Sequence, residues 1–111
     1  DRATRAVLDA LMNDTHLYTD SNLTLARVAR RLSVPVRDVS NAINRTTSEN
    51  FSRYINGFRI RHAQEALRKT ELSITEVMFE AGFVSKSSFN TEFRRVTGKT
   101  PSQFRAETAT I

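Results

Sequence analysis

The chain of 111 residues carries 17 lysines and arginines against 12 aspartates and glutamates, a formal net charge of +5. This length accommodates about one ordinary domain, or two very small ones that share a core. The absence of cysteine excludes disulfides and a cysteine nucleophile, and no run approaches the roughly 18 apolar residues of a membrane-spanning helix. The positive charge favours nucleic-acid binding and the solvated surface of a helical domain about equally.

The start of the sequence bears on how much of the protein it represents. It begins at Asp1, without methionine, and no charged and apolar leader pattern is visible. We interpret it as a fragment of a longer protein, which we expect to be cytoplasmic.

In the first half, apolar residues recur at spacings of three and four, which predicts helices. The first helix is predicted over residues 2–13, with an inner side formed by Ala3, Val7, Leu8, Leu11 and Met12. Thr24 is predicted to cap the second helix, whose inner residues are Leu25, Val28, Ala29 and Leu32. Pro35 suits the first turn of the third, which is predicted to bury Val36, Val39 and Ile43 and to end in the polar residues 46–50.

In the second half, capping residues and glycines mark the ends of the predicted helices more clearly. Residues 51–69 form the longest periodic run, with a core stripe of Phe51, Ile55, Phe58, Ala63, Ala66 and Leu67. Ser73 and Glu76 form a capping-box pattern before a fifth helix, and Gly82 ends it. Its predicted inner residues are Ile74, Val77, Met78 and Ala81. Ser85 is predicted to cap a sixth helix, ended by Gly98, with Phe89, Phe93 and Val96 inward. Residues 100–103 predict a short seventh helix carrying Phe104.

The sequence also repeats itself. An offset of 49 residues pairs Leu25 with Ile74, Val28 with Val77 and Ala29 with Met78. After one added residue, an offset of 50 pairs Val39 with Phe89, Ile43 with Phe93 and Tyr54 with Phe104. The repeat predicts two helix-turn-helix units, with turns near Ser33 and Gly82. Chance similarity between two amphipathic helix pairs is the alternative explanation.

Two such units in one chain suit double-stranded DNA. A helix of 19 residues, the length of the run 51–69, spans roughly 28 Å, and successive major grooves on one face of DNA lie about 34 Å apart. The second helix of each unit, about residues 36–46 and 85–96, could therefore enter adjacent major grooves. This predicts an asymmetric DNA site read by one chain.

The ordered motifs of the chain resemble the AraC/XylS family of bacterial transcription regulators. The string in the second half runs Ile74-x-x-Val77-Met78-x-x-Ala81-Gly82-Phe83-x-Ser85-x-Ser87-x-Phe89-x-x-x-Phe93-Arg94, and then Gly98-x-Thr100-Pro101-x-x-Phe104-Arg105. A similar pattern precedes it, with Leu25-x-x-Val28-Ala29-x-x-Leu32 and Phe51-x-x-Tyr54-Ile55-x-x-x-Arg59-Ile60-x-x-Ala63. The resemblance implies an all-α fold of seven helices, with two helix-turn-helix subdomains, residues 1–50 and 70–111, joined by a linker helix over 51–69. Together they would form one DNA-binding domain.

The resemblance also assigns DNA-contacting residues. The family's base-reading positions map onto Arg37, Ser40, Asn41, Lys86, Ser87, Asn90 and Thr91. Arginine can bond guanine O6 and N7, and asparagine can pair with adenine. Residues better placed for phosphates are Arg45, Arg53, Arg94, Arg95 and Lys99. The family often has a basic residue where this chain has Asn44, which weakens the expected phosphate affinity of the first reading helix.

Other chemistry has little support in the sequence. His16 and His62 lack metal-ligand spacing, and three isolated glycines cannot form a phosphate-binding loop. We therefore expect no enzyme activity, no metal and no cofactor. Arg59 is expected to be structural, and His62 is expected to be a partly exposed polar residue. Besides DNA, RNA polymerase and an N-terminal sensor segment outside this chain are candidate partners. The alternative function is a helical protein–protein docking module with a basic face.

Overall fold

The fold was examined in a computed structural model, which describes residues 2–47 and 49–109. That part of the chain contains seven α-helices, one short 3-10 helix at Leu17–Thr19, and no strand. The helices are α1 (Arg2–Thr15), α2 (Leu25–Leu32), α3 (Val36–Thr47), α4 (Phe51–Lys69), α5 (Ile74–Ala81), α6 (Lys86–Thr97) and α7 (Pro101–Thr108). This confirms the all-α prediction, and α4 has the predicted bounds. Ser48, in the polar stretch after α3, lies outside the described residues.

The chain divides into two compact units, and the division falls inside α4. The first unit ends at Ile55 and the second begins at Asn56. Residues 51–55 of α4 therefore belong to the first unit, and the remainder of the helix belongs to the second. Within the described residues, no helix combines the length and the apolar character needed to cross a membrane.

In the first unit, α3 packs against both α1 and α2. The fully buried side chains of its core are Leu8, Met12, Val28, Val39, Ala42 and Ile43. The first turn of α4 closes this core with Tyr54, whose hydroxyl donates a hydrogen bond to Asp9 Oδ1. Arg5 Nε pairs with the same oxygen at 3.1 Å, and its guanidinium lies 4.6 Å from the centre of the Tyr54 ring. Burial, together with Asp9, raises the pKa of the Tyr54 phenol, so this hydroxyl remains a donor at neutral pH.

Several core predictions for the first unit are wrong. Val7 and Val36 are 53% and 45% exposed, and Ala3 is exposed. Val7 lies about 100° and Ala3 about 140° around the helix axis from buried Leu8. Val36 is the first residue of α3, where a side chain has fewer neighbours than in the middle of a helix.

Buried Tyr18 was not predicted, because it lies in the 3-10 helix within a stretch interpreted as polar. Leu11, Leu25, Leu32 and Phe51 are half-buried.

In the second unit, the α4 residues after the division pack with α5, α6 and α7 around a core rich in phenylalanine. The rings of Phe83 and Phe89 are 5.3 Å apart, those of Phe89 and Phe93 are 5.7 Å apart, and those of Phe93 and Phe104 are 5.6 Å apart. Tilted and edge-on aromatic pairs of this kind stabilise a core beyond their buried area. Val96, in the last turn of α6, is 39% exposed, so its predicted inward position is wrong. All four phenylalanines are buried, which confirms the predicted inward positions of Phe89 and Phe93.

The two predicted helix-turn-helix turns have the same backbone bonding. Ser33 and Gly82 both adopt left-handed conformations, with φ of 57° and 110°. After each of them, a backbone N–H bonds five residues back at 3.1 Å, from Val34 to Ala29 and from Phe83 to Met78. These paired bonds satisfy the last carbonyls of α2 and α5. The predicted repeat is therefore present in the backbone as well as in the sequence.

Side-chain caps set the predicted helix starts. Thr24 and Ser85 each accept a backbone N–H three residues ahead. Ser73 and Thr100 form reciprocal capping boxes with Glu76 and Gln103. Pro101 occupies the first turn of α7 as predicted, whereas Pro35 immediately precedes α3, which begins at Val36.

We expect substitutions at two glycines to change stability in opposite directions. Gly82→Ala should lower the free energy of unfolding by about 1–2 kcal/mol, because φ of 110° places a Cβ against the following carbonyl. Gly57→Ala should raise it by about 1 kcal/mol, because Gly57 lies inside α4. Among the described residues, a Cβ there would meet Arg61 Nη1 alone, at 3.6 Å. Urea denaturation of both variants tests this, and a shift of the same sign in the two would contradict it.

Candidate nucleic-acid interface

On α3, the predicted base-reading residues lie on the outer side of the helix. Arg37 and Asn41 are exposed and Ser40 is half-buried, while Val39 and Ile43 face the core. The buried residues fix the rotation of the helix, so positions 37, 40 and 41 share one face. Two predicted phosphate ligands, Arg45 near the end of α3 and Arg53 in the first turn of α4, are exposed as well.

On α6, the predicted residues form a longer exposed row. Phe89 and Phe93 hold the inner side of the helix. The outer residues Lys86, Ser87, Asn90, Thr91 and Arg94 are all exposed. Among the described residues, no carboxylate forms an ion pair with Lys86 or Arg94. This face therefore presents positive charge and amide and hydroxyl groups together.

An open groove of about 670 Å³ runs beside α6 and brings four of these side chains together. Its wall on α6 consists of Lys86, Asn90, Thr91 and Arg94, along with buried Phe89. Opposite them lie Thr75 in the first turn of α5 and residues 100–102 at the start of α7. Backbone N–H groups at helix starts favour anions. The groove therefore combines side chains predicted to read bases with helix starts that favour anions.

Two of the predicted phosphate ligands are paired with carboxylates. The Arg95 guanidinium holds Glu92 through two contacts, Nε to Oε2 at 2.9 Å and Nη2 to Oε1 at 3.0 Å. Lys99 forms an ion pair with Glu107 of α7. Arg95 and Lys99 therefore have carboxylate partners. Among the described residues, Arg45, Arg53 and Arg94 have none.

The two units repeat each other in backbone and differ in surface charge. The offset of 49 residues that superposes their apolar positions pairs exposed Arg27, Arg30 and Arg31 of α2 with exposed Glu76, Phe79 and Glu80 of α5. Arg27 is paired with Asp20 at 3.3 Å. Additional basic residues in the first unit therefore lie on α2, where the sequence analysis named none. Comparing the exposed positions at the offset of 49 residues would have identified these arginines from the sequence.

Arg59 and His62, both on α4, each have a side-chain partner. His62 is half-buried, and its Nε2 lies 3.2 Å from Glu80 Oε1. Arg59 donates to the side-chain oxygen of Asn56 at 3.3 Å, and its guanidinium lies 5.8 Å from the centre of the Phe83 ring.

The fold and the exposed second helices define the chain as a helix-turn-helix domain. In agreement, a family model described as a helix-turn-helix domain matches residues 28–107. The chain belongs to the AraC-type helix-turn-helix family, whose members are DNA-binding transcription regulators. The chain is accordingly a DNA-binding domain of the type that regulates transcription.

Individual relatives agree with this membership. The Msm operon regulatory protein of Streptococcus mutans is 27% identical over 105 residues, which are 95% of this chain and 38% of the relative. The C-terminal domain of AraT, a response regulator from Geobacillus stearothermophilus, has a TM-score of 0.76 at 28% identity, covering 96% of this chain and 83% of that one.

The DNA-binding domain of AdpA, solved with a target DNA, shares the fold, with a TM-score of 0.78 at 24% identity and coverage of 93% and 90%. The chain spans between 14% and 38% of the length of the curated relatives it matches.

Proposed function

We propose that the chain binds double-stranded DNA sequence-specifically, with α3 and α6 in adjacent major grooves of an asymmetric site. The proposal rests on the second helix of each unit, which exposes a row of side chains able to hydrogen-bond to bases. Buried residues on the opposite side of each helix fix which face points outward. An α-helix fits the major groove, where each base pair presents a distinct pattern of donors and acceptors. The exposed rows therefore have the chemistry needed to distinguish bases.

Each of the two helices, α3 and α6, contributes its own base-reading residues. Arg37 and Lys86 are suited to guanine O6 and N7, and Asn41 and Asn90 are suited to adenine N6 and N7. The hydroxyls of Ser40, Ser87 and Thr91 are weaker readers that pair with either a donor or an acceptor. Different residues at matching positions would read different half-sites, which favours an asymmetric site over a palindrome.

The phosphate contacts that we propose are Arg45, Arg53 and Arg94, which are exposed and form no ion pair among the described residues. Each neutralised phosphate contributes about −0.9 to the slope of log affinity against log salt concentration. We therefore expect a slope of about −2.7 in a titration from low to moderate salt. A slope near −4.5 would instead indicate that ion-paired Arg95 and Lys99, also expected from the sequence, contact phosphates too.

Selection of bound sequences from a random duplex library tests the proposal directly. We expect enrichment of one asymmetric motif whose two halves are centred about one helical turn apart. Inserting about five base pairs between the halves should abolish simultaneous binding, because it turns one half to the opposite face of the DNA. A palindromic motif, or tolerance of the insertion, would contradict the two-groove arrangement. No retention of DNA at low salt would favour the protein-docking alternative.

We further propose that the chain acts within a longer regulator in the bacterial cytoplasm, where the DNA is. The matched relatives are longer than this chain and are described as an operon regulator and as transcriptional activators. An N-terminal regulatory segment and RNA polymerase are the partners that such a role requires. Pull-down of polymerase by the full-length protein on its selected site tests the second of these.

A further inference from the structure

Glu92 is a carboxylate on the helix that we propose reads DNA, where a negative charge opposes binding. Its side chain is 14% exposed, so it lies largely within the protein. It accepts two hydrogen bonds from Arg95, Nε to Oε2 at 2.9 Å and Nη2 to Oε1 at 3.0 Å. This bidentate pair neutralises the carboxylate and fixes the orientation of both side chains.

The same carboxylate is bonded to α4. Asn56 Nδ2 donates to Glu92 Oε1 at 3.0 Å, and Asn56 Oδ1 accepts from Arg59 Nη1 at 3.3 Å. The Arg59 guanidinium in turn lies against the ring of Phe83. We call these four residues, Asn56, Arg59, Glu92 and Arg95, the polar brace. All four belong to the second unit.

The polar brace restrains the orientation of α6 more closely than the apolar core does. Burial of Phe89 and Phe93 decides which side of α6 faces inward, but hydrophobic contact is non-directional. Base reading by a bidentate side chain needs its helix held to within about 0.5 Å. The hydrogen bond from Asn56 of α4 to Glu92 of α6, with its preferred length and angle, supplies that restraint.

We propose that Glu92, Asn56 and Arg95 are positioning residues that set α6 for base reading, and that Arg95 acts by holding Glu92 and is not a phosphate ligand. The proposal rests on the DNA-binding function proposed above. It reassigns Arg95 from the role expected for it by sequence. It also separates Arg95 from its neighbour Arg94, which lines the groove.

The test is the charge-neutral double variant Glu92→Gln/Arg95→Gln, with Asn56→Ala beside it and Arg94→Ala as the matched control. Affinities are measured against salt on the selected site, on sites with one base changed in either half, and on random DNA. For the double variant and for Asn56→Ala, we expect an unchanged salt slope. Discrimination should fall about three- to tenfold in the half read by α6 and stay the same in the other half. Arg94→Ala should reduce the steepness of the slope by about 0.9 and weaken binding to all DNA alike.

Two results would overturn the brace. One is a slope less steep by about 0.9 in the double variant with discrimination intact, as for a lost phosphate ligand. The other is no change in either quantity. Should the double variant unfold in a thermal melt, Asn56→Ala, which removes no charge, carries the same expectation. Failure of the unsubstituted chain to select any site would instead overturn the proposed function, and the brace with it.

Discussion

Asn90→Ala is expected to weaken binding to the selected DNA site by about 1–3 kcal/mol while leaving the affinity for random DNA unchanged. Asn90 is exposed on α6, it lines the groove, and its neighbour Phe89 is buried. Its amide can donate to and accept from one adenine, so truncation removes two directed hydrogen bonds to a base. Arg37→Ala should act in the same way in the half-site read by α3. Fluorescence anisotropy with labelled cognate and random duplexes measures both affinities.

The control for this experiment is Asn13→Ala, which removes an exposed asparagine from α1, outside the proposed interface. We expect it to bind like the unsubstituted chain. Equal losses on cognate and random DNA for Asn90→Ala would show a phosphate or structural role. That outcome would remove Asn90 from the base-reading set.

Phe93→Ala is expected to lower the free energy of unfolding by about 3–5 kcal/mol. Phe93 is fully buried at the centre of the second unit, and its ring meets both Phe89 and Phe104. Truncation therefore leaves a cavity and removes two aromatic contacts. A loss of this size is a large part of the 5–15 kcal/mol typical of a whole domain, so we expect α6 to lose its ordered placement.

Phe79→Ala provides the matched control, because the Phe79 side chain on α5 is 56% exposed. Its substitution should change the free energy of unfolding by no more than about 0.5 kcal/mol. Chemical denaturation followed by circular dichroism compares the two variants. A loss at Phe79 as large as that at Phe93 would mean that the exposed face of α5 is covered in solution.

The helix boundaries were predictable because the interactions that set them are local. Ser73 and Glu76 are three residues apart, and Thr100 and Gln103 form the same reciprocal cap. A glycine that accepts a left-handed conformation needs no distant partner to end a helix, as Gly82 does. The sequence therefore predicted α4 with its observed bounds and α5 to α7 closely. α1 was predicted two residues too short.

Burial was harder to predict, because a helix face is covered or left open by elements far away in the chain. Val36 fits the apolar stripe of α3 by spacing, yet it is 45% exposed. Tyr18 lies among polar residues, yet it is buried. In both cases the spacing of apolar residues gives the direction of a side chain but not the presence of a neighbour.

The sequence by itself determined the class of this protein, the order of its helices and the outward faces of α3 and α6, because caps, turns and apolar spacing act within a few residues. Tertiary structure decided the side-chain contacts that join different parts of the chain, whereas the pair of Arg95 with Glu92 lies within one helix. Glu92 accepts a hydrogen bond from Asn56, 36 positions away, and Lys99, which precedes α7, pairs with Glu107 in the last turn of that helix. A contact such as that between Asn56 and Glu92 depends on how separate helices pack. The spacing of residues within one helix does not show which other helix it will meet.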